Sequence, residues 1–186
     1  SLYNDATGLV VTDVESGHQF VAGAWERPRE LPDDTEWAVP VDEVDDAVAT
    51  VFDRYDVWRM YCDPPYWQEA VDRWSGLYGD DKVIAWWTNH RKRMAFALRE
   101  FKIDMRPEVM SHSGDERLLR HVGNAVRRPT NMRDDDGKFL WLISKEAAKS
   151  VHKIDLAMCA VLSWKARGDA IAAGATKQEN YSRAAW

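Results

Sequence analysis

The order in which helical and strand periodicity alternate along the chain constrains its fold more than any other feature. Residues 7–14 (TGLVVTDV) and 18–25 (HQFVAGAW) have strand character, and residues 15–17 between them form a turn signal. This arrangement predicts an antiparallel strand pair. After it, helical spacing alternates with short apolar runs, which requires crossover connections and indicates parallel pairing. We therefore expect an α/β fold in which helices cover both faces of a mixed sheet.

The individual elements follow from apolar spacing and turn residues. Residues 36–39 are a possible third strand. The predicted helices span residues 41–55, 66–78, 91–105, 116–126 and 153–167. The predicted later strands span residues 57–62, 82–87 and 139–143. From Gly168 the composition turns to Ala, Gly and polar residues, so we expect one domain over residues 1–170 and a tail over residues 171–186.

Length and composition favour a folded domain in a reducing compartment. The chain has 186 residues, of which 45% are hydrophobic, enough for a core of its own. Cys62 and Cys159 lie in apolar surroundings, and two buried thiols are more typical of a reducing compartment than of a disulfide framework. No apolar run approaches the roughly 18 residues that span a bilayer, so no membrane partner is expected. The chain opens with Ser instead of Met, and we expect it to be a domain of a larger protein.

The segment YCDPPYW at residues 61–67 carries the strongest chemical signal. An Asp followed by two prolines occurs in amino-methyltransferases that act on DNA, but an acid at the tip of a strand can also ligate the metal ion of a nuclease. A methyltransferase needs a glycine-rich loop after a strand to hold its adenosylmethionine cofactor. Residues 20–23 (FVAG) contain one glycine, inside a predicted strand. The methyltransferase interpretation is therefore the weaker alternative.

Two carboxylates meet the needs of a nuclease metal site better. Asp63 follows the strand predicted at 57–62, at the edge where open α/β sheets bind ligands. Asp155 lies in the first turn of the last predicted helix, on a side shared with Cys159 and Leu162. An acid on a mostly apolar side of a helix is costly to bury, and a bound metal ion would offset that cost. Helix-dipole partners and turn residues are the alternative interpretations. Mg²⁺ or Mn²⁺ would suit such a site because both prefer hard oxygen ligands.

Five segments carry a family resemblance, and within them YNDAT, KID and DPPYW are specific as a set, although each one is weak alone. The segments are YNDATGL (3–9), VAGAWERP (21–28), YCDPPYW (61–67), WWTN (86–89) and KIDLAMCAVLSW (153–164). Through them, nearly the whole chain resembles the C-terminal nuclease domain of the large terminase subunit of tailed bacteriophages. The resemblance implies a ribonuclease-H-like fold. It also implies divalent-metal-dependent cleavage of double-stranded DNA concatemers during genome packaging, in the cytoplasm of the bacterial host.

The resemblance further implies roles for individual residues. Asp63 is similar in position to the family's acid on the central strand, and Asp155 to its acid on the last helix. Both are therefore expected to be catalytic and to ligate Mg²⁺ or Mn²⁺. The family's first acid lies on a strand ahead of the segment similar to YNDAT, so its counterpart is expected ahead of Ser1. Asp5 is at best an auxiliary metal ligand, and its interpretation as a turn residue stays open.

The implied partners are double-stranded DNA, an upstream ATPase domain, the portal and the small terminase subunit. Phosphate contacts need a basic surface, although the chain has a formal net charge of −6. The candidate DNA-binding residues are Arg91, Lys92, Arg93, Arg127, Arg128 and Lys138. A run of charged residues is as often only a solvated face. The alternative function is a non-catalytic docking module of the packaging motor. The five histidines show no zinc-ligand spacing with the cysteines, and no zinc site is predicted.

Overall fold

The structure contains five helices and seven strands within the residues that it describes. It is a computed structural model, and it describes residues 6–28, 30–32, 34–147 and 150–175. The strands are β1 (Ala6–Thr12), β2 (His18–Glu26), β3 (Met60–Cys62), β4 (Val83–Ala85), β5 (Ser111–His112), β6 (Val126–Arg133) and β7 (Phe139–Ser144). The helices are α1 (Val41–Arg54), α2 (Gln68–Tyr78), α3 (Arg91–Asp104), α4 (Glu116–Asn124) and α5 (Asp155–Ala172). The α/β class predicted from the sequence is confirmed.

Hydrogen bonds join the described strands into three separate sheets. β1 and β2 pair antiparallel, as predicted, and the short β5 adds a parallel partner to β2. β3 and β4 pair in parallel, and β6 and β7 form an antiparallel hairpin. The prediction of one mixed sheet is met only in part, since no ladder in the described ranges joins β1 to β3. The ribonuclease-H-like arrangement therefore stays a prediction.

Helices cover both faces of β1 and β3. On one face, Val10 and Tyr61 pack in a core cluster with Leu156 of α5. On the opposite face, Leu9 and Cys62 pack in a second cluster with buried valines of α1. Successive residues of a strand point to opposite faces. This alternation therefore places both strands in one layer between α5 and α1.

Some predicted strands differ from the structure for local reasons. Residues 36–39 do not form a strand, and Ala38 makes only an isolated bridge. β6 was not predicted, because Pro129 and the arginines of this segment obscure the alternation of a strand. Proline is tolerated there because the hairpin pairs through one edge, and the β6–β7 register shifts between Pro129 and Arg133. β5 was also missed, since two exposed residues carry no periodic signal.

The last helix is longer than predicted. α5 continues past Gly168 to Ala172, because Ala170 still packs into the core with 1% of its surface exposed. Residues 176–186 of the predicted tail lie outside the described residues. Cys62 and Cys159 are both free thiols, as predicted. None of the helices in the described part of the chain is long and apolar enough to span a bilayer.

Candidate functional site

Asp63 lies directly after β3, and the loop after β4 holds its carboxylate. Thr88 donates its backbone N–H to Oδ1 (3.1 Å) and its hydroxyl to Oδ2 (2.6 Å). Because β3 and β4 are parallel, both loops leave the strands at the same edge. A carboxylate offers about four lone-pair sites, so capacity for a ligand remains on Asp63. Sequence reasoning did not single out Thr88, and its only signal was the WWTN segment.

Asp155 is the first residue of α5, and α4 holds this end of the helix. The Leu156 N–H donates to Nδ1 of His121 (3.0 Å), and Asn124 Nδ2 donates to the Lys153 carbonyl (2.9 Å). The Asp155 side chain is partly buried, and its Oδ2 atom is shielded from solvent. The start of α5 is thus fixed from a second element, and with it the backbone that carries Asp155.

His121 is fully buried, and its ring orientation follows from its two partners. Nδ1 accepts from the Leu156 N–H, and Nε2 lies 3.2 Å from Oε1 of Glu26. Arg120 donates to both oxygens of the Glu26 carboxylate (2.6 and 2.8 Å). Burial lowers the pKa of His121, while the negative charge of Glu26 opposes this shift and Arg120 reinforces it. A neutral ring fits both contacts, with Nε2–H donating and Nδ1 accepting. Sequence reasoning missed His121, since a histidine in a short helix carries no specific signal.

Asp63 and Asp155 line the same cleft, which has a volume of about 950 Å³. Cys159 lies one helical turn after Asp155 in the same lining, and its thiol donates to the Gly8 carbonyl (3.2 Å). Burial raises the pKa of the Cys159 thiol to about 12, and the charges of Asp155 and Asp63 act in the same direction. Both carboxylates are therefore within electrostatic reach of one thiol.

The cleft lies between two strand edges. β1 lines one side and β3 lines the other, while Met158 and Leu162 of α5 and Val44 and Val48 of α1 line it from the two faces. In the part of the chain that the structure describes, β1 pairs only with β2, and β3 pairs only with β4. The cleft is therefore bordered by two strands that each have an edge without a strand partner there. Such edges offer backbone N–H and C=O groups for further pairing.

The structure describes two of the three predicted metal ligands. Asp63 and Asp155 supply hard oxygen donors of the kind that Mg²⁺ and Mn²⁺ prefer, so the residues present fit such an ion. Asp5, the third predicted ligand, lies outside the described residues. Within residues 6–28, 30–32, 34–147 and 150–175, no group of three or more His, Cys, Asp or Glu side chains is arranged to hold a metal ion.

Part of the predicted DNA-binding set is exposed on two neighbouring elements. Arg91, Lys92 and Arg93 are exposed in the first turn of α3. Arg127 is exposed on β6, and its guanidinium lies 4.8 Å from the centre of the Trp141 ring. α3 packs against β7, the partner strand of β6. The helix and the hairpin packed against it thus both present exposed cations to solvent.

The other two predicted DNA contacts have partners within the fold. Arg128 donates to Ser144 Oγ (2.9 Å) and to the Glu146 carbonyl (2.7 Å). Lys138 is exposed at the hairpin turn, with its Nζ 3.7 Å from a carboxylate oxygen of Asp136. Arg128 thus stabilises the end of the hairpin, while the Lys138 ammonium remains at the surface.

Two curated bacteriophage proteins are similar to the chain. The gene 13 protein of Mycobacterium phage L5 is 33% identical over 175 residues, which cover 89% of this chain and 28% of that protein. The gene 13 protein of Mycobacterium phage D29 is 34% identical over 175 residues, with the same coverage of both chains. The chain thus spans little more than a quarter of the length of these relatives. No protein-family model and no solved structure matches it. The relatives agree with the bacteriophage origin that the resemblance implies.

Proposed function

We propose that this chain is the divalent-metal-dependent endonuclease domain of a bacteriophage DNA-packaging protein. The observation that carries the proposal is the shared cleft of Asp63 and Asp155. A helix-dipole partner or a turn residue would not need to share a cleft with a second acid. Ile154, not Asp155, occupies the N-cap position of α5, and the Asp63 carboxylate accepts from the Thr88 loop across the edge. A cation bound between two acids from distant parts of the chain would offset the cost of bringing both carboxylates into one partly buried cleft.

We propose further that the family's first acid, which the resemblance puts ahead of Ser1, enters the cleft on a strand between β1 and β3. Three observations support this arrangement. Both strands lie in one layer, both have an edge without a strand partner in the described chain, and helices cover the layer on both faces. A strand inserted there would pair with both edges and would join the sheet that contains β1 to the sheet that contains β3, giving the mixed sheet expected from the sequence.

The residues of the cleft would hold and orient the ion and the DNA. A bound Mg²⁺ or Mn²⁺ would supply a Lewis acid that activates water and stabilises charge on the phosphodiester. Thr88 sets the orientation of the Asp63 carboxylate, and the contacts of α4 set the backbone position of Asp155. Ligands oriented by a second layer of hydrogen bonds bind metal ions more tightly. The exposed cations of α3 and β6 would hold the DNA backbone without reading its sequence.

Substitution of the two acids tests the proposal in a polypeptide extended ahead of Ser1. Asp155→Asn and Asp63→Asn should each reduce manganese-dependent plasmid cleavage by at least about 100-fold, since even changes around a ligand cost about 10- to 100-fold. Asp72→Asn is the matched control, because Asp72 is an exposed acid on α2 outside the cleft lining. Unchanged cleavage by Asp155→Asn would reject the assignment.

A metal titration distinguishes the nuclease from the docking module. Duplex DNA affinity should respond to Mn²⁺ in the unaltered protein, and this response should be lost in Asp63→Asn. DNA affinity with no response to Mg²⁺ or Mn²⁺ would favour a docking module instead.

A further inference from the structure

The loop that carries Asp63 contains an unusual turn. Trp67 donates its N–H to the Pro64 carbonyl (2.8 Å), which closes a β-turn with Pro65 and Tyr66 at its centre. Proline fixes a negative φ, and Tyr66 has a φ of 68°, so the turn is of type II. The second central position of this turn normally carries Gly or Asn, because the Cβ of other residues is crowded there. Tyr66 is the one non-glycine residue with a positive φ in the described part of the chain.

Packing of the Tyr66 ring does not compensate for this strain. The residue is 70% exposed, so the ring contributes little to the core. Its neighbours are anchored, since Pro64 is fully buried and the Trp67 ring stacks on Trp74 with centroids 6.1 Å apart. The turn is thus fixed at both ends, and it presents the Tyr66 ring to solvent.

Tyr66 lies where the proposed chemistry would take place. It follows Asp63 by three residues, within the loop that leaves β3. The neighbouring loop carries the exposed Trp87 immediately before Thr88, the partner of Asp63, and leads to Arg91 at the start of α3. An acid, exposed aromatic rings and cations therefore occur together at one edge.

We propose that Tyr66 is a DNA-contacting residue whose ring packs against the deoxyribose beside the phosphate that reaches Asp63. The inference rests on the proposed function and adds a contact that phosphate-binding cations do not provide. An aromatic ring offers a large apolar contact area, and every nucleotide presents a deoxyribose, so the contact does not depend on the base sequence. Backbone strain at an exposed side chain is typical of residues kept for function, and a ring positioned in advance loses little freedom on binding.

Binding of a double-stranded oligonucleotide by the 186-residue chain, without divalent metal, tests the inference. Tyr66→Asn should weaken affinity by about 5-fold, because the apolar contact of the ring is lost. Its melting temperature should not fall, because Asn accepts the left-handed conformation. Tyr66→Phe should keep the affinity of the unaltered chain, since the ring is retained. The slope of log affinity against log salt should not change in Tyr66→Asn, because no ion pair is lost.

Leu77→Asn is the matched control, because Leu77 is 67% exposed near the other end of α2. Equal affinity of Tyr66→Asn and the unaltered chain would overturn the inference, and so would an equal loss in Leu77→Asn. If Tyr66→Asn binds DNA normally while Asp155→Asn abolishes cleavage, only this inference fails. If the unaltered chain binds no duplex, the inference fails together with the DNA contact of the proposed function.

Discussion

At the residue scale, Thr88 determines how the Asp63 carboxylate is presented to the cleft. Its N–H and its hydroxyl each bind a different carboxylate oxygen, so rotation of the carboxylate would break both hydrogen bonds. The partly buried position of Asp63 and Thr88 strengthens these contacts relative to water. A ligand held in this way keeps its remaining lone pairs directed at one place.

Replacement of Thr88 by valine should weaken metal binding with little effect on folding. Thr88→Val keeps the side-chain shape and the backbone hydrogen bond but removes the hydroxyl that binds Oδ2. We expect Mn²⁺ affinity, measured by calorimetry on the extended polypeptide, to fall by about 10-fold or more. Thr88→Ser keeps a hydroxyl and serves as the control. Equal Mn²⁺ affinities of the Val and Ser variants would show that the hydroxyl does not orient Asp63.

At the scale of elements, α4 anchors the start of α5. The backbone N–H groups in the first turn of a helix have no helical partner. In α5, the N–H of Leu156 donates to the His121 ring instead. Only a neutral ring can do so, and burial lowers the pKa of His121 in the folded state. The groups that face this ring are Glu26 of β2, Arg120 of α4 and Lys145 after β7. The contact thus couples the position of α5 to the protonation state of one histidine.

The sign of this linkage predicts acid destabilisation. A folded-state pKa below the unfolded value of about 6.5 means that the unfolded chain binds the proton more readily. The stability from neutral His121 is therefore complete above about pH 6.5 and is lost as pH falls through the lower folded pKa. His121→Gln retains an acceptor but does not titrate. Melting temperatures between pH 7.5 and 5 should fall less steeply in this variant, and identical pH profiles would contradict the prediction.

At the scale of the whole molecule, an acidic chain presents clustered exposed cations at the start of α3 and a further one on the hairpin packed against that helix. The formal net charge is −6, yet Arg91, Lys92 and Arg93 lie on α3 and Arg127 on the hairpin packed against it. Arg117, by contrast, binds Asp115 at the start of α4 (2.7 Å). A local basic surface can attract DNA despite the opposite overall charge, with a strong dependence on salt.

Removal of two of the exposed cations should lower both the affinity for duplex DNA and its salt dependence. For Arg91→Ala combined with Lys92→Ala, we expect the slope of log affinity against log salt to decrease by about 0.9 for each lost phosphate contact. Arg117→Ala should leave the slope unchanged, because its charge is already paired. Fluorescence anisotropy over a series of salt concentrations measures both quantities. An equal change of slope in the two proteins would show that binding does not depend on the α3 surface.

The sequence by itself determined the α/β class, the β1–β2 pair and the approximate position of every helix, because these follow from periodicity between neighbouring residues. It also indicated Asp63, an acid at the end of an apolar run, and Asp155, an acid on a mostly apolar side of a helix, since both patterns are visible among neighbouring residues. Only the tertiary structure decided that both acids line one cleft, that Thr88 and His121 orient their surroundings, and that Tyr66 occupies a glycine-like conformation. These facts depend on contacts between residues far apart in the chain, and on a backbone angle imposed by its anchored neighbours, neither of which leaves a periodic signal.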